Sequence, residues 1–198
     1  MGVKVFEDGP RIFLDMDGVI ADFDRAMTEY GAPAKVIKMI PGVYQHLKPL
    51  PGAIKGITEL LAHAPGRVFI CTKIPDKAPN AASEKLFWVH AWLPKMMGKV
   101  FIVPDKGAVG STKDILVDDH PHWANAANFP GTVIHFAHAN TGDVLEAVDT
   151  YPSMARVPNW EALVDLLKSI VPSNLELEIK SKASTSKSIE SYKSPHFG

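Results

Sequence analysis

The chain has 198 residues, 46% of them hydrophobic and 22% charged, which suits one domain with a substantial core plus a small insertion. Its net charge of −1 gives no pull toward a nucleic acid polymer or an anionic membrane, so a small free ligand fits that balance better. A single cysteine, Cys71, excludes an internal disulfide or a cysteine-built metal site, and no apolar run has transmembrane length; the expected location is the cytoplasm.

The first predicted element is a strand near 11–15. The apolar run Ile12-Phe13-Leu14 ends in Asp15-Met16-Asp17-Gly18-Val19-Ile20-Ala21-Asp22. Carboxylates spaced i, i+2 at the end of a buried strand point to the same side, and the glycine permits a sharp turn beside them. That pattern suits a metal and a phosphoryl group. One carboxylate can attack phosphorus while ligating a hard cation, and the other can exchange a proton with the leaving oxygen.

Residues 22–49 read as a small helical insertion, a cap, containing Phe23, Met27, Tyr30, Ile37, Tyr44 and other apolar residues at helical spacing. Asp22 and Asp24 read as carboxylates at a helix start, favoured there by the helix dipole. Pro51-Gly52 introduces a helix with Ile54, Ile57, Leu60 and Leu61 on its apolar face, ending before Pro65-Gly66. A strand at 67–71 runs into Thr72. The next helix, capped by Asn80 or Ser83, carries Leu86, Val89, Trp92 and Leu93.

A strand at 100–103 leads into Pro104-Asp105-Lys106, and another at 115–118 ends in Asp118-Asp119. A hydroxyl donor and an ammonium are what a phosphoryl group needs as negative charge develops on it. Four carboxylates gathered at two strand ends would repel one another and raise their own pKa values, a conflict that Mg²⁺ removes. His120 and His122, flanking Pro121, lack further ligands at zinc spacing and read as rim or surface residues. A strand at 132–136 follows. The last helix starts at Asn159, with Trp160, Leu163, Val164, Leu167 and Ile170 on one face and Pro172 after its end. The domain therefore spans 1–172. Residues 173–198, with seven serines and few large apolar side chains, read as a flexible tail, although Leu175, Leu177 and Ile179 alternate as an edge strand would.

Apolar β-branched runs alternating with amphipathic helices indicate an α/β protein with a parallel sheet covered on both faces. Asp15-x-Asp17-Gly18, then Thr72, Lys106 and Asp118-Asp119, each after a hydrophobic strand, resembles the haloacid dehalogenase-like phosphohydrolases, whose Rossmann-like sheet carries a cap after the first strand. Asp15 to Phe23, Pro49-Leu50-Pro51-Gly52-Ala53, Phe69-Ile70-Cys71-Thr72, Glu84-Lys85 with Trp88-Val89, and Asp118-Asp119-x-Pro121 are most similar to the 5'(3')-deoxyribonucleotidase family. Here the insertion is shorter than that family's, and Thr72 precedes Lys73-Ile74-Pro75 where the family has Ser-Pro.

The resemblance implies a Mg²⁺-dependent phosphomonoesterase acting on nucleoside monophosphates. It implies that Asp15 is the nucleophile and Asp17 the general acid and base. It implies that Asp15, the Asp17 carbonyl, Asp118 and Asp119 hold the metal, and that Thr72 and Lys106 bind phosphate. Lys85 is a further phosphate ligand or a solvated helix lysine, and Lys113 is a rival to Lys106. Phe23 and Tyr44 are the candidate wall for the base. Other small phosphate esters, such as sugar phosphates, and a noncatalytic phosphate-binding role are the alternatives.

Overall fold

Ile12, Phe13 and Leu14 form β1 (Ile12–Leu14), and all three are fully buried. In a computed structural model describing residues 9–137 and 155–180, this strand lies inside a six-stranded sheet. The other strands are β2 (Val68–Thr72), β3 (Val100–Ile102), β4 (Ile115–Asp118), β5 (Thr132–Phe136) and β6 (Ala155–Val157). Their order is β3-β2-β1-β4-β5-β6, and every pair is parallel. A parallel sheet covered on both faces needs continuous apolar strands, which is why β1 shows no polar alternation.

The principal helices among the described residues are α1 (Phe23–Tyr30), α2 (Ala34–Ile37), α3 (Val43–His46), α4 (Ala53–His63), α5 (Ala81–Trp92) and α6 (Trp160–Ile170). One face of the sheet packs through Ile12 and Leu14 into a large core shared with α4, α5 and α6. The other packs through Phe13 into a smaller cluster with Cys71, Leu116, Phe129 and Val133. Between α4 and α6, a Cβ on Gly56 would collide with the Trp160 ring, so glycine sets how close the helices lie. Trp160 Nε1 donates to Val19 O at 2.7 Å and thereby fixes the loop after β1.

The helices α1, α2 and α3 form the insertion after β1. At its base Ala21 bridges Pro49, Asp22 N donates to Lys48 O and Leu50 N to Ile20 O, so the chain leaves and returns through one narrow neck. Asp22 caps α1 by accepting from Arg25 N.

Four features depart from the sequence reading. The strand β6 has no counterpart there, because Ala-Arg-Val is too short and polar a run to register as a strand. On α5 half of the expected apolar residues turn outward: Leu86 and Trp92 are exposed, whereas Val89 and Leu93 are buried, together with Glu84, Lys85 and Trp88. Ile170 ends α6 in solvent rather than on its buried stripe. Residues 174–180 are helical, not an edge strand, and Arg67 holds their start through Pro172 O and Asn174 Oδ1. Residues 181–198 of the expected tail lie outside the described residues.

Candidate active site

In open parallel sheets ligands bind beyond the carboxyl ends of the strands, where the strand order reverses. Here the chain goes from β1 to β2 and β3 on one side and resumes with β4 on the other, so the reversal flanks β1. Register then decides which side chains meet. Leu14 is paired with Val117, which sets the next residues, Asp15 and Asp118, side by side. On the other side Leu14 pairs with Ile70, two residues before Thr72.

Asp15 Oδ1 accepts from Met16 N at 2.7 Å, and Asp15 Oδ2 lies 2.8 Å from Lys106 Nζ. Lys106 Nζ also donates to Asp118 Oδ2 at 2.6 Å, and Asp118 Oδ1 accepts from His120 N. Lys106 is buried. Burial opposes its charge, but Asp15 and Asp118 outweigh burial and hold its pKa above the ordinary lysine value. Its loop is tied to the loop after β4, since Lys106 N donates to Ala124 O. In that loop Ala124 and Asn125 have φ of 49° and 59°, a left-handed conformation that costs non-glycine residues roughly 1 kcal/mol or more.

Oxygens of Asp15, Asp118 and Asp119 lie within 4.8 Å of one another, and all three residues are buried. Burial raises the pKa values of Asp118 and Asp119, and the neighbouring carboxylates raise them further. An all-oxygen donor set of this kind suits a hard divalent cation, whose charge would relieve the repulsion. Gly18, at φ +76°, makes room for the Asp119 carboxylate, with which a Cβ there would collide.

Asp17 is held apart from that cluster. Lys85 Nζ donates to Asp17 Oδ2 at 2.8 Å, to Thr72 Oγ1 at 2.7 Å and to Lys73 O at 2.9 Å. Asp17 Oδ1 is buried and has no hydrogen-bond partner among the described residues. Lys85 is fully buried, so the solvated-lysine alternative is removed. Its neighbour Glu84 turns to the cap and accepts from Gly42 N at 2.7 Å and Tyr44 N at 3.2 Å, which caps α3. One buried charged pair on α5 therefore grips both Asp17 and the cap.

A cavity of about 740 Å³ opens between these groups and the cap. Phe23 stacks on Tyr44 with ring centroids 6.0 Å apart, and Lys85 Nζ lies 4.9 Å from the centre of the Tyr44 ring. Burial, with Asp17 and Glu84, raises the Tyr44 pKa, so its hydroxyl stays protonated. Burial likewise pushes the Cys71 thiol up to about 12, which makes it an inert core residue.

The structure thus brings together Asp15, Asp17, Thr72, Lys85, Lys106, Asp118 and Asp119, with Phe23 and Tyr44 on the cavity wall. Lys113 is elsewhere: it is exposed and precedes the start of β4, at the opposite end of the strand from Asp118. Sequence reasoning missed Lys38 and Trp123, which also line the cavity. Lys38 Nζ lies 4.6 Å from the centre of the Trp123 ring, and His120 stacks on the same ring at 4.5 Å. The aromatic residue five positions after Asp118 was a signal; nothing in the local pattern pointed to Lys38.

The chain resembles known proteins in sequence family and in fold. A family model described as "5' nucleotidase, deoxy (Pyrimidine), cytosolic type C protein" matches residues 36–172, well over half the chain. The chain is 29% identical over 142 residues to the cytosolic 5'(3')-deoxyribonucleotidase of Homo sapiens, covering 55% of this chain and 70% of the relative. It is 23% identical over 194 residues to the human mitochondrial 5'(3')-deoxyribonucleotidase, covering 78% and 82%. Among solved structures, a D,D-heptose 1,7-bisphosphate phosphatase from B. bronchiseptica complexed with magnesium and phosphate aligns with a TM-score of 0.52 and 14% identity, covering 80% of this chain and 97% of that one. A dehalogenase aligns with a TM-score of 0.54 and 13% identity, covering 81% and 98%. These structural likenesses establish a shared haloacid dehalogenase-like fold. No helix among the described residues is long and apolar enough to cross a membrane.

Proposed function

The chain belongs to the deoxy (pyrimidine), cytosolic type C 5' nucleotidase family, and from that premise we propose that it hydrolyses deoxynucleoside monophosphates through an aspartyl-phosphate on Asp15. The observation that carries this reading is the division of the site. Asp15 lies in a buried carboxylate cluster bridged by Lys106, while Asp17, two residues on, is bound to a different lysine.

Asp15, Asp118 and Asp119, with the Asp17 carbonyl, would hold Mg²⁺. When bound, the ion supplies charge neutralisation between the carboxylates and the phosphate. Asp15 carries the nucleophilic oxygen, oriented by Met16 N and Lys106. Asp17 Oδ2 is committed to Lys85, so Oδ1 moves the proton, first to the leaving ester oxygen and then from the water that cleaves the aspartyl-phosphate. Thr72 donates to a phosphoryl oxygen, oriented by Lys85, whose three protons go to Asp17, Thr72 and Lys73 O, and Lys106 balances the charge.

Phe23 and Tyr44 provide one apolar wall for the base rather than a full enclosure, and apolar walls reject an added hydroxyl poorly. Modest preference among bases, and between deoxyribose and ribose, follows. The test is turnover of a panel of phosphate esters with and without Mg²⁺. Nucleoside monophosphates are expected to lead the panel with the metal present. Far higher kcat/KM for sugar phosphates than for every nucleotide would overturn the nucleotidase reading and leave the phosphatase reading intact.

A further inference from the structure

Most cations around the cavity already have a carboxylate. Lys106 serves Asp15 and Asp118, Lys85 serves Asp17, and Lys73 lies 3.3 Å from Asp76. Lys38 is different. It sits at the C-terminal end of α2, lines the cavity and is half-buried, yet no carboxylate among the described residues is within ion-pairing distance of it. Its ammonium instead lies between two rings, 4.6 Å from the centre of Trp123 and 5.6 Å from that of Phe23.

A ring face is a weaker partner for an ammonium than a phosphate oxygen, because the ring offers a quadrupole and the phosphate a full charge. Burial depresses the lysine's pKa, and the carboxylates whose field supports its charge are Asp17, Asp119 and Asp15, the groups that surround the reaction centre. Ile37, its neighbour, is fully buried and anchors the backbone, while the four-carbon lysine stem has rotatable bonds that let an ammonium change partners.

We propose that Lys38 is a substrate-binding residue of the cap: its ammonium exchanges the faces of Trp123 and Phe23 for the phosphate dianion, and so opens those faces to the leaving group. In the free protein the lysine occupies the space between the two rings. Substrate then recruits the cap's cation and the aromatic wall in one movement, which favours phosphate esters whose leaving group can replace the ammonium on the rings. This inference rests on the phosphatase reading of the site.

The experiment compares the full-length protein with Lys38→Met, Lys38→Arg and Trp123→Phe. Lys38→Met keeps the length of the stem and removes the charge. With Mg²⁺ present, we expect Lys38→Met to raise KM for nucleoside monophosphates about tenfold with kcat changed less than about threefold, and Lys38→Arg to recover most of the loss. Titration with inorganic phosphate is expected to change tryptophan emission in the parent protein, and that response should vanish in both Trp123→Phe and Lys38→Met. A merely structural lysine would lower the melting temperature without abolishing the phosphate response. An unchanged KM in Lys38→Met, or a phosphate response of full size there, would overturn the proposal. If the parent protein hydrolyses no phosphate ester while phosphate still acts on Trp123 through Lys38, the catalytic reading fails and this one stands.

Discussion

At the carboxyl edge of the sheet, Asp15, Lys106 and Asp118 are buried and joined by direct ion pairs of 2.6 to 2.8 Å, whereas in the cap above them Lys38 is half-buried and rests on ring faces. The edge is held by register: β1 and β4 cannot slide without turning every core residue to the wrong face. The cap is held by a neck at residues 20–22 and 48–50, by Glu84 at α3, by Trp88 Nε1 donating to Leu47 O, and by Ile37, Val43 and Tyr44 buried in the main core. On the proposed function, chemistry would sit on the sheet edge and substrate choice on the inserted cap, an arrangement that would allow the second to vary while the first is kept.

The comparison breaks most sharply at Asp15. Asp15→Asn should eliminate turnover while the circular dichroism spectrum and melting temperature stay close to those of the parent. Asp17→Asn should retain a trace, with a loss of about 10²–10⁴-fold from removing the acid and base. Near-normal turnover by a folded Asp15→Asn would remove the nucleophile assignment.

Metal removal tests the same edge without a substitution. Chelation should abolish turnover and Mg²⁺ should restore it. Mg²⁺ should also raise the melting temperature, since it relieves repulsion among Asp15, Asp118 and Asp119. The gain should shrink at acid pH, because carboxylates with raised pKa values then bind protons in place of the ion. Equal melting curves with and without Mg²⁺ at neutral pH would mean that the cluster holds no such cation.

The joint between the two regions should respond by smaller amounts. Lys85→Met leaves Asp17 and Thr72 without their shared donor, and kcat is expected to fall about 10²-fold, on the scale of losing one prearranged electrostatic group. Glu84→Gln keeps an acceptor for only one of Gly42 N and Tyr44 N and turns an amide N–H toward the other, so KM should rise a few-fold with kcat nearly unchanged. If Glu84→Gln lowered kcat as far as Lys85→Met does, cap and edge would not be separable in function. The smallest effect is expected at Lys113, exposed at the far end of β4: Lys113→Ala should leave kcat/KM unaltered within assay error. The same holds for removal of residues 181–198.

Much of the edge is legible in the sequence. Asp15, Thr72 and Asp118 each end an apolar run, and that is a local signal. Lys106 reads as following a strand, but its preference over Lys113 depends on which end of β4 faces the site. The helix α5 misleads for a physical reason. Its apolar residues read as core, yet Glu84 and Lys85 are buried because each finds compensating partners on other elements, so Leu86 and Trp92 are turned outward.

The sequence by itself determined most of the elements and which residues stand at the ends of the central strands. Strand periodicity, apolar runs and turn residues act within a few positions, and carboxylates closing two such runs are visible there as well. Tertiary structure alone decided which distant groups meet: Lys85 with Asp17 across 68 residues, Glu84 with the cap, and Lys38 with Trp123. Those contacts depend on how helices and loops pack over the sheet. A buried charge gives no periodic signature, and its partners are fixed by the cost of leaving it unpaired in the folded chain.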